Sequence, residues 1–210
     1  KIAQKSKFAS LEEEVNYFAT KKLIVDNPGD AFAYGGIGIN IAGRVIEVVT
    51  KKTFDRVITE KLFRPMGMRT ATFYNENGNA PNPSGGAVCS AFDYLNFMQM
   101  LLNKGMFNNK RILSEKSVQE MLTIQFPELR VRYTPALAKD FKYALGSWVQ
   151  ERDEAEKGFV FSCPGMLGTW PWIDTKRNYV GIVFSKELIT GQKKELSIQI
   201  KEAADTALDQ

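Results

Sequence analysis

The sequence changes character at residues 143–149, YALGSWV, and at the two similar segments that follow, GFVF at 158–161 and YVGIVF at 179–184. These segments are rich in aromatic and β-branched residues and turns separate them, so the pattern predicts three β-strands. Residues 174–178, DTKRN, supply a hairpin-like connection between WPWI at 170–173 and the last strand. We therefore expect the last third of the chain to form an antiparallel sheet.

Helices are predicted on the amino-terminal side of this sheet. Ser10 and Glu13 form a capping box that opens a helix running to about Leu23. Apolar residues recur at helical spacing over residues 37–52, which predicts an amphipathic, half-buried helix. The residues of this apolar series are Ile41, Val45, Val48 and Val49.

Further helices are indicated by capping residues, by helix breakers or by an apolar face. Thr53 caps a helix over residues 54–63, which Pro65 ends, and Ser90 caps a helix over residues 91–104, which Gly105 ends. Ser114 opens a helix that ends near Thr123. A carboxyl-terminal helix is indicated by one apolar face, formed by Leu196, Ile200, Ala203, Ala204 and Ala207. Residues 70–87 are interpreted as a surface excursion and residues 126–141 as a long connection. Helices followed by a sheet that a last helix closes constitute an α+β arrangement.

Composition excludes several classes of function. The 210 residues suffice for one globular unit with a substantial core, and no run of about 18 apolar residues predicts a membrane span. The net charge of +4 is dispersed rather than clustered, so nucleic acid is not an expected partner. The chain has no histidine, which excludes Ser-His-Asp and Cys-His catalysis within it. An enzyme built from this chain would use Lys, Tyr, Asp or Glu as its base.

The two cysteines do not indicate a metal site. Cys89 and Cys163 lie far apart in the sequence and form no C-x-x-C pair, so we expect neither a metal nor a cofactor. No histidine and no adjacent lysine is available to activate Cys163, which is therefore better interpreted as a small buried residue than as a nucleophile.

Four segments together resemble the serine hydrolases of the β-lactamase and penicillin-binding type, which include class C β-lactamases, D-alanyl carboxypeptidases and related esterases. They are PG at 28–29 with FAYGG at 32–36 and AGRVIEVVTK at 42–51, LFRPMGMRT at 62–70, GGAVCSAFDY at 85–94 with MLLNKG at 100–105 and RILS at 111–114, and SCPGMLGT at 162–169 with WID at 172–174. Their order and spacing match the later two-thirds of such a protein.

The resemblance implies a β-lactamase or transpeptidase-like fold, in which an antiparallel sheet is flanked by helices and carries an all-helical lobe. Residues 1–210 would form a partial domain of this kind, with residues of about 10–140 in the helical lobe and its loops and about 142–210 in the sheet and the last helix. Because the chain lacks an initiating methionine and any S-x-x-K sequence, we expect the amino-terminal part that carries the nucleophile to be missing. In relatives that motif precedes the tyrosine loop by many more residues than the 33 present here.

The resemblance also implies the residues of the site. Tyr34 occupies the tyrosine-loop motif and would act as general acid and base. A free phenol, with a pKa of about 10, is a poor base at neutral pH. In the family, the lysine of the S-x-x-K motif supplies the positive charge that favours the phenolate, and here that lysine would lie in the missing segment. Gly35 and Gly36 would contact substrate, although Gly36 stands where many relatives have asparagine. The backbone N–H of Met166 would be an oxyanion donor. Taken alone, Tyr34 would be interpreted as a residue that packs beside a glycine turn.

The third motif shifts the expected substrate. Cys163, Pro164 and Gly165 stand where relatives carry K-T-G or H-x-G, and they offer neither a cation nor a hydroxyl for a substrate carboxylate. We therefore expect an ester or amide without that carboxylate, hydrolysed through an acyl-enzyme by an esterase-like enzyme that is inactive without its upstream segment.

Other interpretations remain open. The chain could be a binding or sensor protein that keeps the fold without the chemistry, or a structural module with no ligand. A disulfide between Cys89 and Cys163 is one open alternative, because both lie in segments near the family's site. The three tryptophans, Trp148, Trp170 and Trp172, either line an acyl pocket or fill the core, and the core is the default for two of them. The family resemblance alone implies a bacterial, periplasmic or otherwise extracytoplasmic location.

Overall fold

A computed structural model describes residues 7–21, 27–73 and 80–210. The chain divides into two compact units, one formed by Lys1–Asp93 with Leu129–Tyr133 and the other by Tyr94–Glu128 with Thr134–Gln210. The predicted end of the first helix near Leu23 and part of the predicted excursion at 70–87 lie outside the described residues. None of the described helices is long and apolar enough to cross a membrane.

The first unit is mainly helical. Its elements are α1 (Leu11–Ala19), β1 (Ala31–Ala33), α2 (Ile37–Thr50), α3 (Phe54–Ile58), a π-helical turn that continues α3 (Thr59–Phe63), and β4 (Arg130–Tyr133). The predicted cap of α1 is confirmed, since the Glu13 N–H donates to Ser10 Oγ at 3.1 Å while the Glu13 carboxylate accepts from the Ala9 N–H at 2.9 Å. The first turn of α1 is therefore satisfied locally.

The cap of α3 differs from the expectation. Thr53 occupies the N-cap position, but its side chain makes no capping hydrogen bond. The Phe54 N–H instead donates to Glu47 Oε1 at 2.9 Å. A carboxylate near the end of α2 therefore caps α3, which also fixes the corner between the two helices.

Two short strands in the first unit were not predicted. β1 pairs in parallel with β4, with Ala31 opposite Arg130 and Ala33 opposite Tyr133. The interpretation of residues 126–141 as a long connection was therefore wrong at Arg130–Tyr133, which form β4. The strands have three and four residues, and β4 is exposed along its whole length, so neither has the buried alternation by which a strand is recognised.

Helix α2 forms where the sequence predicts it, but its apolar side is not the buried side. The buried residues of α2 are Asn40 and Gly43. Val45 is 54% exposed and Val49 is 75% exposed, and Ile37, Ile41 and Val48 are also exposed. Periodicity thus located the helix and its two faces, while the face turned toward the rest of the first unit is the small and polar one.

The second unit contains the five-stranded sheet. Its elements are α4 (Ala91–Leu102, whose first turn belongs to the first unit), β2 (Met106–Phe107), β3 (Lys110–Arg111), α5 (Glu115–Met121), a 3₁₀ turn (Ala136–Ala138), β5 (Lys142–Tyr143), β6 (Trp148–Arg152), β7 (Gly158–Ser162), β8 (Thr169–Asp174), β9 (Tyr179–Phe184) and α6 (Gly191–Leu208). The predicted caps of α4 and α5 are confirmed, because Ser90 Oγ accepts from Asp93 N and Ser114 Oγ accepts from Ser117 N.

Strands β5 to β9 form one antiparallel sheet in sequence order. Residues 143–149, predicted as a single strand, are two strands joined by a turn in which Gly146 has φ +87°. WPWI at 170–173, predicted as a flank of the hairpin, is strand β8, and Pro171 lies opposite Ile182 within it. The predicted α+β class, with an antiparallel sheet flanked by helices, is confirmed.

The core of the second unit lies against this sheet. All three tryptophans are buried, whereas the sequence assigned two of them to the core by default. Val160, Trp170 and Trp172 form one cluster, against which Ile198 of α6 packs. Ala144, Val149 and Phe161 form another, which Leu122 and Ile124 extend.

The face that α6 turns inward is polar and charged, not the predicted apolar one. Its buried residues are Ser197, Lys201 and Asp205. Lys201 Nζ lies 2.6 Å from Asp205 Oδ2 and 3.3 Å from Oδ2 of the fully buried Asp174. Leu196 and Ile200, from the predicted apolar series, are exposed. An ionic cluster on one helical stripe, together with the apolar contact of Ile198, therefore holds α6 to the sheet.

Candidate active site

Tyr34, the predicted general acid and base, lies between β1 and α2. Its backbone N–H donates to the Tyr133 carbonyl at 3.0 Å, which extends the pairing of β1 with β4 by one residue. Its side chain is on the surface, with the residue 37% exposed. Gly36, two residues later, is the N-cap of α2, and its carbonyl accepts from the Asn40 N–H at 3.0 Å. The loop is thus fixed at both ends by backbone hydrogen bonds.

Gly36 is in close contact with a residue that sequence reasoning did not single out. A methyl group built on Gly36 would lie 2.6 Å from Ser84 Oγ and 3.1 Å from Ser84 Cβ. By contrast, one built on Gly35 would meet no atom within 4 Å. The Ser84 hydroxyl therefore fills the space in which a side chain at position 36 would start.

The segment that carries Ser84, residues 82–86, is a rigid turn. The Asn82 carbonyl accepts from Gly85 N at 3.2 Å and from Gly86 N at 2.7 Å. The Ser84 hydroxyl donates to Asn82 Oδ1 at 2.8 Å. Gly86 is required at its position because a Cβ there would lie 2.8 Å from the Asn82 carbonyl oxygen. These bonds orient the Ser84 side chain.

The turn is anchored to the buried face of α2. Asn40 Oδ1 accepts from the Ser84 N–H at 3.0 Å, and Pro83 is so close to Gly43 that a Cβ on this glycine would lie 2.7 Å from Pro83 Cγ. Asn40 Nδ2 donates in turn to Oε2 of the buried Glu14 at 3.2 Å. Burial raises the pKa of Glu14, which the hydrogen bond from Asn40 partly offsets. One amide side chain thus joins α1, α2 and the turn.

The second predicted part of the site follows strand β7. Ser162, the last residue of the strand, is buried and its hydroxyl donates to the Pro171 carbonyl at 2.5 Å. Cys163 is exposed, so its interpretation as a small buried residue was wrong. Although the residue reaches the surface, the protein atoms around the sulfur raise the pKa of the thiol through desolvation. The chain has no histidine, and no lysine lies next to Cys163 in the sequence, so no such group is available to activate it as a nucleophile.

Beyond Cys163 the chain makes a tight hairpin turn. The Gly165 N–H donates to the Thr169 carbonyl at 2.8 Å and the Gly168 N–H donates to the Gly165 carbonyl at 3.0 Å. Gly168 has φ +94°, and a Cβ there would lie 2.3 Å from Ser185 Oγ. This three-residue loop, closed by a left-handed glycine, is a common hairpin form. It places Met166 at the first corner of the turn.

The Met166 backbone has one bonded group and one unbonded group. Its carbonyl accepts from the Ile189 N–H at 2.9 Å, whereas its own N–H has no hydrogen-bond partner among the residues that the structure describes. Met166 is 56% exposed. An unpaired N–H at the corner of a hydrogen-bonded turn is the kind of group that a backbone oxyanion donor requires.

The structure places the predicted site residues in two groups. Tyr34, Gly35 and Gly36 belong to the first unit, and Cys163, Pro164, Gly165 and Met166 belong to the second. Both cysteines are free, so the disulfide that the sequence left open is not formed. Ser84 was missed because only the fold brings it to Gly36, and no local pattern links the two positions.

A family model and curated proteins match this chain. The family model described as Beta-lactamase matches residues 4–205. Two curated Mycobacterium tuberculosis proteins, uncharacterised protein MT1414 and protein Rv1367c, are each 27% identical over 182 residues, which is 71% of this chain and 45% of theirs. The chain therefore spans about half the length of the curated relatives that it matches.

Solved structures show the same fold. A candidate β-lactamase from Bacteroides dorei has a TM-score of 0.74 and 29% identity, over 86% of this chain and 56% of that one. A β-lactamase from Mycobacterium bovis has a TM-score of 0.72 and 19% identity, over 87% and 66%. EstCE1, described as a hydrolase with promiscuous acyltransferase activity, has a TM-score of 0.71 and 17% identity, over 96% and 62%.

Proposed function

This chain belongs to the β-lactamase family, and from that premise we propose that it is part of a serine hydrolase that acts through an acyl-enzyme on an ester or amide. The observation that carries the proposal is that the Met166 N–H, at the corner of a turn closed by hydrogen bonds, has no partner among the described residues. Such a donor stabilises the oxyanion that forms when a nucleophile attacks a carbonyl carbon.

The nucleophile of the proposed enzyme lies in a segment of the parent protein that is not in this chain. No serine here is followed three residues later by lysine, and relatives such as the Bacteroides dorei protein are considerably longer than the matched region. The serine hydroxyl attacks the carbonyl, its proton passes by way of Tyr34 to the leaving group, and water then hydrolyses the acyl-enzyme. This chain alone should be inactive.

The proposed substrate lacks the carboxylate that β-lactams present. Cys163 and Pro164 offer no cation at the position where K-T-G relatives bind that carboxylate. EstCE1 shows that the same fold occurs in a protein described as a hydrolase with acyltransferase activity. Efficient hydrolysis of a carboxylate-bearing β-lactam by the parent protein would contradict this assignment.

The test uses the parent protein and a matched pair of substitutions at Met166. Met166→Pro removes the N–H at a turn corner where proline is tolerated, and we expect kcat to fall about 10²–10³-fold. Met166→Ala keeps the N–H, so its kcat should stay close to that of the unaltered protein. Equal activity of the two variants would show that the N–H has no catalytic role.

A fluorophosphonate probe separates the enzyme from the competing interpretation, a non-catalytic binding or sensor protein with the same fold. We expect the probe to label one serine upstream of this chain, and Tyr34→Phe to slow the labelling. A parent protein that lacks S-x-x-K, or that has the motif but is not labelled, would support the binding protein instead.

A further inference from the structure

We infer that Ser84 supplies a hydrogen-bond acceptor at the third position of the tyrosine loop, where it binds an N–H donor that enters the site. The inference rests on the proposed function and adds to it a specificity-determining residue. Position 36 is a glycine in this chain, so the loop itself presents no side chain at its third position. The Ser84 hydroxyl occupies the space in which a side chain at position 36 would start.

The close approach of Ser84 to Gly36 is built into the first unit. The turn at residues 82–86 is closed by the Asn82 carbonyl, its backbone is tied to Asn40, and Pro83 packs against Gly43. A hydroxyl held in this way keeps its position when a ligand arrives, so little conformational freedom is lost on binding.

The direction of the hydrogen bond sets the chemistry of the ligand. A hydroxyl has one proton and two lone pairs, and the Ser84 proton is donated to Asn82 Oδ1 at 2.8 Å. Among the described residues no group donates to the Ser84 hydroxyl oxygen. The residue is exposed, so a lone pair is available to a molecule in the site. That molecule must contribute a donor, and an N–H group fits.

Two groups in the proposed enzyme carry such a donor. One is a secondary amide N–H of the substrate, and the other is the ammonium group of the lysine in the upstream segment. The Ser84 oxygen would accept from either group. If the donor is the substrate amide, the loss of activity on removing the Ser84 hydroxyl depends on the substrate; if it is the lysine, the loss is the same for all substrates.

The experiment measures kcat/KM of the parent protein on two p-nitrophenyl esters. One has a secondary amide in its acyl chain, as in an N-acetylglycine ester, and the other is the same compound with that nitrogen methylated. Ser84→Ala removes the acceptor. Pro83→Ala is the matched control, because it disturbs the packing of the same turn and keeps the hydroxyl.

We expect Ser84→Ala to lower kcat/KM relative to Pro83→Ala by about 3–10-fold where the donor is a neutral amide N–H, and by about tenfold or more where it is the lysine ammonium group, because hydrogen bonds to charged groups are stronger. A loss confined to the ester with the amide N–H identifies the substrate as the donor. An equal loss on both esters, together with a shifted pH–rate profile, identifies the lysine. Activity of Ser84→Ala within twofold of Pro83→Ala on both esters would overturn the inference.

An exchange of the two positions provides a second test. Gly36→Asn alone should lower activity strongly, since its Cβ would lie 2.6 Å from Ser84 Oγ. Adding Ser84→Gly makes room, and the asparagine oxygen then supplies the acceptor, so we expect activity to return to within about threefold of the unaltered protein, the size of one hydrogen bond. No recovery in a double variant that the fluorophosphonate still labels would contradict the inference, whereas an unlabelled and inactive parent protein would overturn the proposed function itself.

Discussion

Helices α2 and α6 both turn small or polar residues inward and apolar residues outward, but they are held in different ways. The inward stripe of α6 is charged, with Lys201 between Asp174 and Asp205. The inward stripe of α2 contains Gly43 and Asn40 and works by close approach and one amide. Opposite charges contribute to holding α6 against its sheet, whereas the absence of a side chain at Gly43 lets the turn at residues 82–86 pack against α2. The two attachments should therefore fail for different reasons.

The largest expected effect comes from removing the cation of the α6 cluster. Lys201→Met would remove the buried cation that pairs with Glu151, Asp174 and Asp205. Arg177 still pairs with Asp174 and Asp205, so we expect the free energy of unfolding to fall by about 3 kcal/mol, the lower end of the range for breaking a buried ion pair. Chemical denaturation followed by circular dichroism measures this change.

Lys193→Met is the matched control on the same helix, because Lys193 pairs with Glu187 at the surface. Exposed pairs contribute little, so this variant should unfold at nearly the same denaturant concentration as the unaltered chain. Similar losses in the two variants would show that burial of the α6 cluster does not matter.

The next effect tests close approach on α2 with two glycines of one helix. A Cβ at Gly43 would lie 2.7 Å from Pro83 Cγ, whereas a Cβ at Gly38 would meet nothing within 4 Å. Helix propensity favours alanine more at the interior Gly43 than at Gly38 in the first turn of α2, so it opposes the expected difference and does not produce it. We expect Gly43→Ala to be less stable than Gly38→Ala by about 1–3 kcal/mol, the usual cost of overpacking. Thermal and denaturant unfolding of the pair would measure the difference, and equal stability would mean that the turn moves freely.

A smaller effect concerns pH and Glu14, the buried carboxylate that is hydrogen-bonded to Asn40 of α2. Burial raises the pKa of Glu14, so the folded chain binds its proton more tightly than the unfolded chain does. This group therefore favours folding at low pH, and its contribution declines as the pH rises from the unfolded pKa through the raised folded value. Glu14→Gln should keep a bond with Asn40 and remove this decline. Stability measured from pH 4 to pH 8 should then fall less steeply with rising pH in the variant than in the unaltered chain.

The smallest effect is expected on the outward face of α2. Val49 is 75% exposed, and its replacement by glutamate should change the free energy of unfolding by no more than about 0.5 kcal/mol. The variant should bind less of a fluorescent hydrophobic dye, because an exposed apolar side chain is lost. A large loss of stability would show that this face is packed in the chain.

The sequence predicted well those features of the fold whose interacting residues are close in the sequence, namely helix caps and a hairpin. The caps at Ser10, Ser90 and Ser114 were found because a capping residue and its helix are neighbours in the sequence. The hairpin that leads into β9 was found for the same reason. Where the partner is distant, as with Glu47 capping Phe54, the sequence pointed to the adjacent Thr53 instead.

The outcome for the helix faces has a different cause. Periodicity divides α2 and α6 into an apolar and a polar face, but it contains no information on what covers either face. In α6 the polar face is buried because Asp174 and Asp205 compensate Lys201, and these pairings form only in the folded sheet. In the candidate site, Tyr34 and Gly165 were reached through motifs, while Ser84 was reached only through the packing of the turn against Gly36.

The pairing of β1 with β4 has a consequence for folding during translation, because the two strands are synthesised at different times. The partners Ala33 and Tyr133 are about 100 residues apart, and the carbonyl that fixes Tyr34 belongs to Tyr133. At about 5–20 residues per second, that carbonyl is synthesised roughly 5–20 s after Tyr34 itself. During translation the tyrosine loop is consequently completed late, after the helices on either side of it have already emerged.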